Sequence, residues 1–270
     1  MQVKKTTLKN GLRVLTHAMP NTKAVTVTVF VKTGSDYEHE SEIGLSHFLE
    51  HMCFKGTTKR QNSFDISKEF DILGAKNNAF TSNDMTAYWV KGQSKDIEKL
   101  IDLVSDIYLN PTFPESEIDK EKGVVLEEIN MYNDQPQYVA YEKFLSLMYG
   151  NQPIGRMIIG TSQSVQSLTR NDLIKYHKLQ YVPNRTIISI AGNIDNKKIL
   201  ELVKKYFKTT DGGKGREKLK AKKPLSKKYS IHTHRKIDQT HIVMGYPGVS
   251  VFDRDNHVYN LFSRILAGGF

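Results

Sequence analysis

The run Ala24–Gly34, AVTVTVFVKTG, alternates apolar and polar side chains and is rich in β-branched residues. A period of two predicts a strand with one face buried. Just upstream, residues 3–9 and 12–18 flank Asn10-Gly11, a dipeptide suited to the positive φ angles of a tight hairpin turn. The segment 44–55 has no turn residue after Gly44 and predicts a helix; Ser63–Leu73 predicts a second one, stopped by Gly74. TSNDMTAYWVKG predicts a strand. Ser94–Leu109 has apolar residues at 97, 100, 101, 104 and 107, a helical period. Pro114 opens a helix reaching about Tyr132, and residues 137–149 predict another. Thr169 with Asp172 matches a capping box before LIKYHKLQY. RTIISIAGNI predicts a short strand and NKKILELVKKYF an amphipathic helix.

Strands, then helices, then one strand and one helix describe an α+β fold with an antiparallel or mixed sheet packed by helices. Further along, the pattern restarts: HIVMGYPGV predicts a strand, and DNHVYNLFSRILAGG a helix ending in two glycines. The expected organisation is a domain over residues 1–210, a basic linker over 211–228, and the truncated start of a second, similar domain over 229–270.

Composition narrows the class. The chain has 270 residues, 39% of them apolar, which is enough for a substantial core. No apolar run approaches the ~18 residues of a membrane-spanning helix, and the start, MQVKKTTLKNG, lacks the apolar stretch of a secretory signal. The single cysteine, Cys53, excludes an internal disulfide. A cytoplasmic protein with no membrane partner is expected. The net charge of +10 is concentrated: residues 204–236 hold thirteen Lys/Arg against Asp211 and Glu217, a local balance of +11 that leaves −1 for the rest. Its Gly- and Lys-rich stretch GGKGREKLKAKKPLSKK reads as a solvated linker. No nucleic-acid partner is expected, because charge without a recognition motif carries no such signature. A polyanion-binding role for this segment would show as steep salt dependence.

The candidate chemistry lies in GLSHFLEHMCFK, residues 44–55. His47 and His51 are four apart, so on a helix they share a face and can bind one Zn²⁺ at ~2.0–2.1 Å each. Glu50 flanks that face, where a general base for a metal-bound water is needed. The order H-x-x-E-H inverts the more familiar H-E-x-x-H. Two histidines at this spacing also arise by chance, but burying them with a carboxylate is costly unless they are paired or bound to metal. A third ligand must come from elsewhere. In EKGVVLEEINMY, residues Glu121, Val125, Glu128 and Tyr132 form one stripe. Two carboxylates seven apart suit a ligand and a partner that orients a histidine. Spacing favours Glu128 as the ligand, with Glu127 the alternative. Cys53 reads as a small buried filler and Trp89 as core. His232 and His234 read as a surface pair without nearby carboxylates, and the remaining histidines as structural or exposed.

HFLEHMCFKGT followed at a distance by VVLEEINMYNDQP resembles the insulysin/pitrilysin family of inverted-motif zinc peptidases, in the style of bacterial processing-peptidase-like members and mitochondrial processing peptidase. NGLRVL, VKTGSDYE, GAKNNAFTSNDMTAYWV, NQPIGRMIIGT and YVPNRTIISIAGNI extend the resemblance along nearly the whole chain. It implies a processing-peptidase-like domain that binds one Zn²⁺ through His47, His51 and Glu128, with Glu50 as base and Glu121 as the carboxylate behind a ligand. It implies a peptide or unfolded polypeptide as substrate. The polar stretch before TAYWV would take an extended peptide by strand addition, and the resemblance nominates Asn78 and Ala79 there. Family members continue past an LAGG-like segment into a region supplying an arginine and a tyrosine. The chain is therefore expected to cleave poorly alone, with a second peptidase-like chain or a second copy completing the chamber. A non-catalytic scaffold subunit is the alternative, against which all four metal and base positions are filled.

Overall fold

The computed structural model describes residues 3–208, 213–222 and 230–267. Six strands form one sheet: β1 (Lys4–Thr7), β2 (Arg13–Ala18), β3 (Ala24–Val31), β4 (Lys76–Thr81), β5 (Thr86–Gln93) and β6 (Thr186–Gly192). The order across it is β1-β2-β6-β3-β5-β4. β2 and β6 run parallel and every other neighbour is antiparallel, so the sheet is mixed. β6 arrives late in the chain and lies between β2 and β3, closing the centre of the sheet.

The predicted alternation decides which face is packed. Val25, Val27, Val29 and Val31 are fully buried with Ile188, Ile190, Tyr88 and Val90 on the neighbouring strands. Against this face lie α1 (Leu45–Met52), α3 (Ile97–Leu109) and α8 (Asn196–Tyr206), with α2 (Ser63–Ile72), α4 (Glu115–Asn133), α5 (Pro136–Tyr149), α6 (Ser162–Ser167) and α7 (Arg170–Gln180) completing the helical side. The capping box read at Thr169 is formed with Asp172. Leu173, Tyr176, Ile199 and Val203 join one continuous core with the sheet. Helices gathered on one side of a largely antiparallel sheet are the α+β architecture.

Four features differ from expectation. Residues 76–81 form a strand of their own, β4, at the edge of the sheet; KNNAFT has too few apolar positions to announce one, and it forms because β5 offers a full ladder. Trp89 is only half-buried, since it pairs with Thr28 and Asn78 on the side of the sheet without helices. HIVMGYPGV forms no strand. It pairs with no strand among the described residues, and a lone strand would leave its ladder hydrogen bonds unmade. The chain just before it runs along α5 and the end of α4 instead, through Lys143 Nζ to Thr233 Oγ1 at 2.6 Å and Arg235 to the carbonyl of Asn133 at 2.5 Å. It leads to α9 (Asn256–Ala267).

The basic segment is docked rather than merely solvated over its described part, residues 213–222. The Arg216 guanidinium clamps the Glu42 carboxylate and donates to the carbonyl of Tyr37. Lys218 pairs with buried Asp36 at 2.6 Å. Residues 211–212 and 223–228 of the expected linker, and the terminal glycines Gly268 and Gly269, lie outside the described residues.

Candidate metal centre

The site begins with how α1 is seated. Leu45, Phe48, Leu49 and Met52 are fully buried, which turns His47, Glu50 and His51 to the helix flank. At its N-terminus Gly44 has φ +88°; a Cβ there would lie 2.8 Å from the Ile159 carbonyl oxygen. A side chain is thus excluded twice, by conformation and by space. The buried Glu38 carboxylate accepts the N–H groups of Gly44 at 2.9 Å and Ser46 at 2.7 Å. These are donors that a helix start leaves without intrahelical partners. Burial pushes the Glu38 carboxyl up to about 7, against the lowering effect of those hydrogen bonds.

α4 crosses α1 and supplies the carboxylates. Glu128 Oε2 lies 3.7 Å from His47 Nε2 and 3.6 Å from His51 Nε2, and the two rings are 4.6 Å apart between centroids. The three donor atoms all fall within 4.8 Å of one another, the one such group found among the described residues. Two turns earlier on α4, buried Glu121 takes a hydrogen bond from His51 Nδ1 at 2.8 Å through Oε1. Its Oε2 meets Lys55 Nζ at 2.5 Å. Glu127 faces solvent. Glu50 Oε2 accepts from the Thr81 hydroxyl at 2.5 Å.

The electrostatics divide the two histidines. Burial, then the neighbouring His51, pulls His47 down to about 3, so it is neutral with a lone pair to donate. For His51 burial acts downward, but the Glu121 hydrogen bond and the charges of Glu121, Glu50 and Glu128 outweigh it and hold the ring above its ordinary value. The Glu121 contact also assigns the tautomer: Nδ1 carries the proton and Nε2 faces Glu128. Burial raises Glu50, with Thr81 and His51 opposing. Burial acts upward on Glu121 too, yet hydrogen bonds from His51 and Lys55 keep it below the usual carboxylate range.

This donor set fits a divalent cation. Separations of 3.6–3.7 Å are too long for hydrogen bonds. They approach the roughly 3.4 Å between two tetrahedral donors that each lie ~2.0–2.1 Å from a common zinc ion. Glu50, Glu121 and Glu128 crowd three carboxylates around the two rings against the one ammonium of Lys55, a setting that suits a cation.

The structure thus brings together His47, His51, Glu128, Glu121 and Glu50. Asn78 and Ala79 are on β4, the strand that also carries Thr81; Asn78 is exposed and its side chain accepts the N–H of Ala79 at 2.8 Å. Cys53 is buried under the Tyr88 hydroxyl at 3.4 Å, away from the donors. His232 and His234 are exposed. Two further residues join the site without a sequence signal of their own: Lys55, four residues after His51, and Thr81, at the end of the edge strand β4.

Comparison with known proteins adds a family. The model for insulinase, peptidase family M16, matches residues 13–162, and that for the peptidase M16 inactive domain matches residues 167–270. An uncharacterized zinc protease of Rickettsia felis is 35% identical over 97% of the chain, and one of Bacillus subtilis 33% identical over 98%. The chain spans 63% and 64% of those two proteins. Among solved structures, a protease from Helicobacter pylori superposes with TM-score 0.77 at 30% identity, over 83% of this chain and 54% of that one. A peptidase M16 inactive domain from Pseudomonas fluorescens covers all of this chain and 65% of its own, with TM-score 0.84 at 19% identity, a likeness of fold. Among the described residues no helix is long and apolar enough to cross a membrane.

Proposed function

The chain belongs to the insulinase family of peptidases, M16, and from that premise we propose that it carries the metal site of a zinc-dependent endopeptidase acting on peptides or unfolded polypeptide segments. The observation that carries the reading is the convergence of His47 Nε2, His51 Nε2 and, from α4, Glu128 Oε2 beside the helix that also bears Glu50. His47, His51 and Glu128 would hold one zinc ion per chain. Zinc bound there supplies a Lewis acid that lowers the pKa of water toward ~7 and polarises a peptide carbonyl.

The chain's own groups do the rest. Glu121 orients His51 through Nδ1, and Lys55 holds Glu121 ionised. Glu50 takes a proton from the attacking water as the C–O bond forms. It returns that proton to the departing amine nitrogen as the C–N bond breaks. No covalent acyl-enzyme is required, so Cys53 has no part. The free edge of β4, with Asn78 and Ala79, would pair with an extended peptide; the Asn78 side chain must then give up the Ala79 N–H. We also propose the division into residues 1–210, a basic linker over 211–228, and the beginning of a second domain over 229–270.

Metal analysis tests the reading. The wild-type chain is expected to hold one zinc ion, His51→Ala to lose it, and Glu50→Gln to keep it while the weak chelator-sensitive cleavage of an unstructured peptide expected of this chain disappears. A wild-type chain that takes up no zinc overturns it.

A further inference from the structure

Thr81 makes a contact that the peptidase reading does not use. Its hydroxyl donates to Glu50 Oε2 at 2.5 Å. We propose that Thr81 is a positioning residue for the base: it ties down Oε2 and leaves Oε1 as the oxygen that takes the proton. The inference rests on the assignment of Glu50 as base.

The donor is placed by the sheet rather than by chance. Along β4 burial alternates, with Ala79 and Thr81 half-buried between exposed Asn78 and Phe80. The register pairs Ala79 with Tyr88 and Thr81 with Thr86, two fully packed residues of β5. Thr81 therefore shares the packed face on which α1 lies. Thr86 Oγ1 is itself anchored to the Thr33 carbonyl at 3.1 Å, and the hairpin closes one residue later through Ser82 N to Met85 O at 2.8 Å. The backbone at position 81 is thus held by the ladder to β5 and by the hairpin beyond it.

A glutamate needs such a restraint. Its terminal torsion is broad and two-fold, so an unsupported carboxylate exchanges its oxygens freely. A base must present one oxygen at hydrogen-bond distance from the proton it abstracts. One hydroxyl proton on Oε2 sets the plane of the group. Thr81 also lies two residues beyond Ala79 on the strand proposed to take the peptide, so base and peptide would share one strand as their reference.

Two arms test the inference. In the metal-free chain, proton NMR is expected to show the Thr81 hydroxyl as a slowly exchanging downfield resonance that vanishes in Glu50→Ala; a freely exchanging hydroxyl overturns the proposal whatever the metal does. In the zinc-loaded chain, Thr81→Val is expected to lower kcat about tenfold, part of the 10²–10⁴ that a positioned base contributes. KM for an unstructured peptide and zinc affinity should stay within twofold, and Thr81→Ser should restore most of the rate. An unchanged kcat in Thr81→Val overturns the positioning role, as does a loss spread over KM and zinc affinity or a failure of Thr81→Ser to rescue. The base reading fails separately, by full turnover in Glu50→Gln.

Discussion

In α1 the apolar residues Leu45, Phe48, Leu49 and Met52 are completely buried, while in α9 Val258, Leu261, Phe262 and Ile265, at the same spacing, are 51 to 72% exposed. Both stripes follow the helical repeat equally well. The first meets β4, α4 and α7; the second meets nothing comparable among the described residues. A period tells which side chains share a face and not what covers that face. The consequence for chemistry is direct. Burial of the α1 stripe leaves its flank no freedom to turn, and that flank bears His47, Glu50 and His51. Among the described residues, His232 and His234, in the chain leading to α9, have no such support and join no group of candidate metal donors.

The largest contrast is expected in metal affinity. His51→Ala should weaken zinc binding by more than the ~10–100-fold assigned to partners behind the ligands, while His234→Ala leaves it within twofold. Glu121→Gln belongs in the 10–100-fold range itself. Titration against a zinc-buffering chelator measures all three. Equal losses from His51 and His234 would erase the distinction between the two regions.

Stability should separate the two stripes next. Phe48→Ala opens a cavity in a closed core and is expected to cost ~3–5 kcal/mol. Phe262→Ala removes an exposed ring and should stay within ~0.5 kcal/mol. Denaturant unfolding at fixed pH compares them. A large cost for Phe262 would show that α9 buries its stripe in solution.

Much of this layout was legible in the sequence. The Asn10-Gly11 turn, the Val25–Val31 alternation and the Thr169 capping box are local signals, each complete within a few residues. The placement of Glu128 rather than Glu127 beside the histidines was also local, because a helix repeat carries Glu128 to the face of Glu121 and Val125. What escaped depends on distant partners. β6 enters between β2 and β3 by pairing across more than 150 residues, and no local pattern encodes that position. β4 is strand only because β5 lies beside it. HIVMGYPGV has the composition of a strand and lacks the neighbour among the described residues. Lys55 and Thr81 were invisible for the same reason: their roles are contacts to Glu121 and Glu50, made across the fold.

The seating of α1 has a pH signature. Burial raises Glu38 from its ordinary 4.5 to about 7, so the folded chain holds this proton more tightly than the unfolded one. The stabilisation is fully present below about pH 4.5 and is lost as pH rises through about 7, amounting to about 3 kcal/mol. Glu38→Gln should lower stability overall yet flatten its fall over that window, as read from urea midpoints across the range. A slope that survives the substitution would have to come from another group, leaving α1 without a titrating anchor.

The smallest effect concerns the basic segment, where the two regions join. Three backbone N–H groups hold residues 213–222 to the first region: Arg216 to Gln180 Oε1 at 3.0 Å, Leu219 to the Asp36 carbonyl at 3.0 Å, and Lys222 to Gln152 Oε1 at 2.5 Å. The Arg216–Glu42 clamp sits over them and is partly exposed, so solvent screens it and its worth is about 1 kcal/mol. Arg216→Gln should therefore speed amide exchange at these three positions by roughly fivefold, since each 1.4 kcal/mol is worth a factor of ten. Global unfolding and zinc affinity should not move. Raising the salt concentration should reproduce only part of the change, because the guanidinium also donates to the uncharged carbonyl of Tyr37. If exchange at these amides is already as fast as in residues 242–248, the segment is undocked in solution, and the boundary between the packed and the exposed region lies at α8 rather than beyond it.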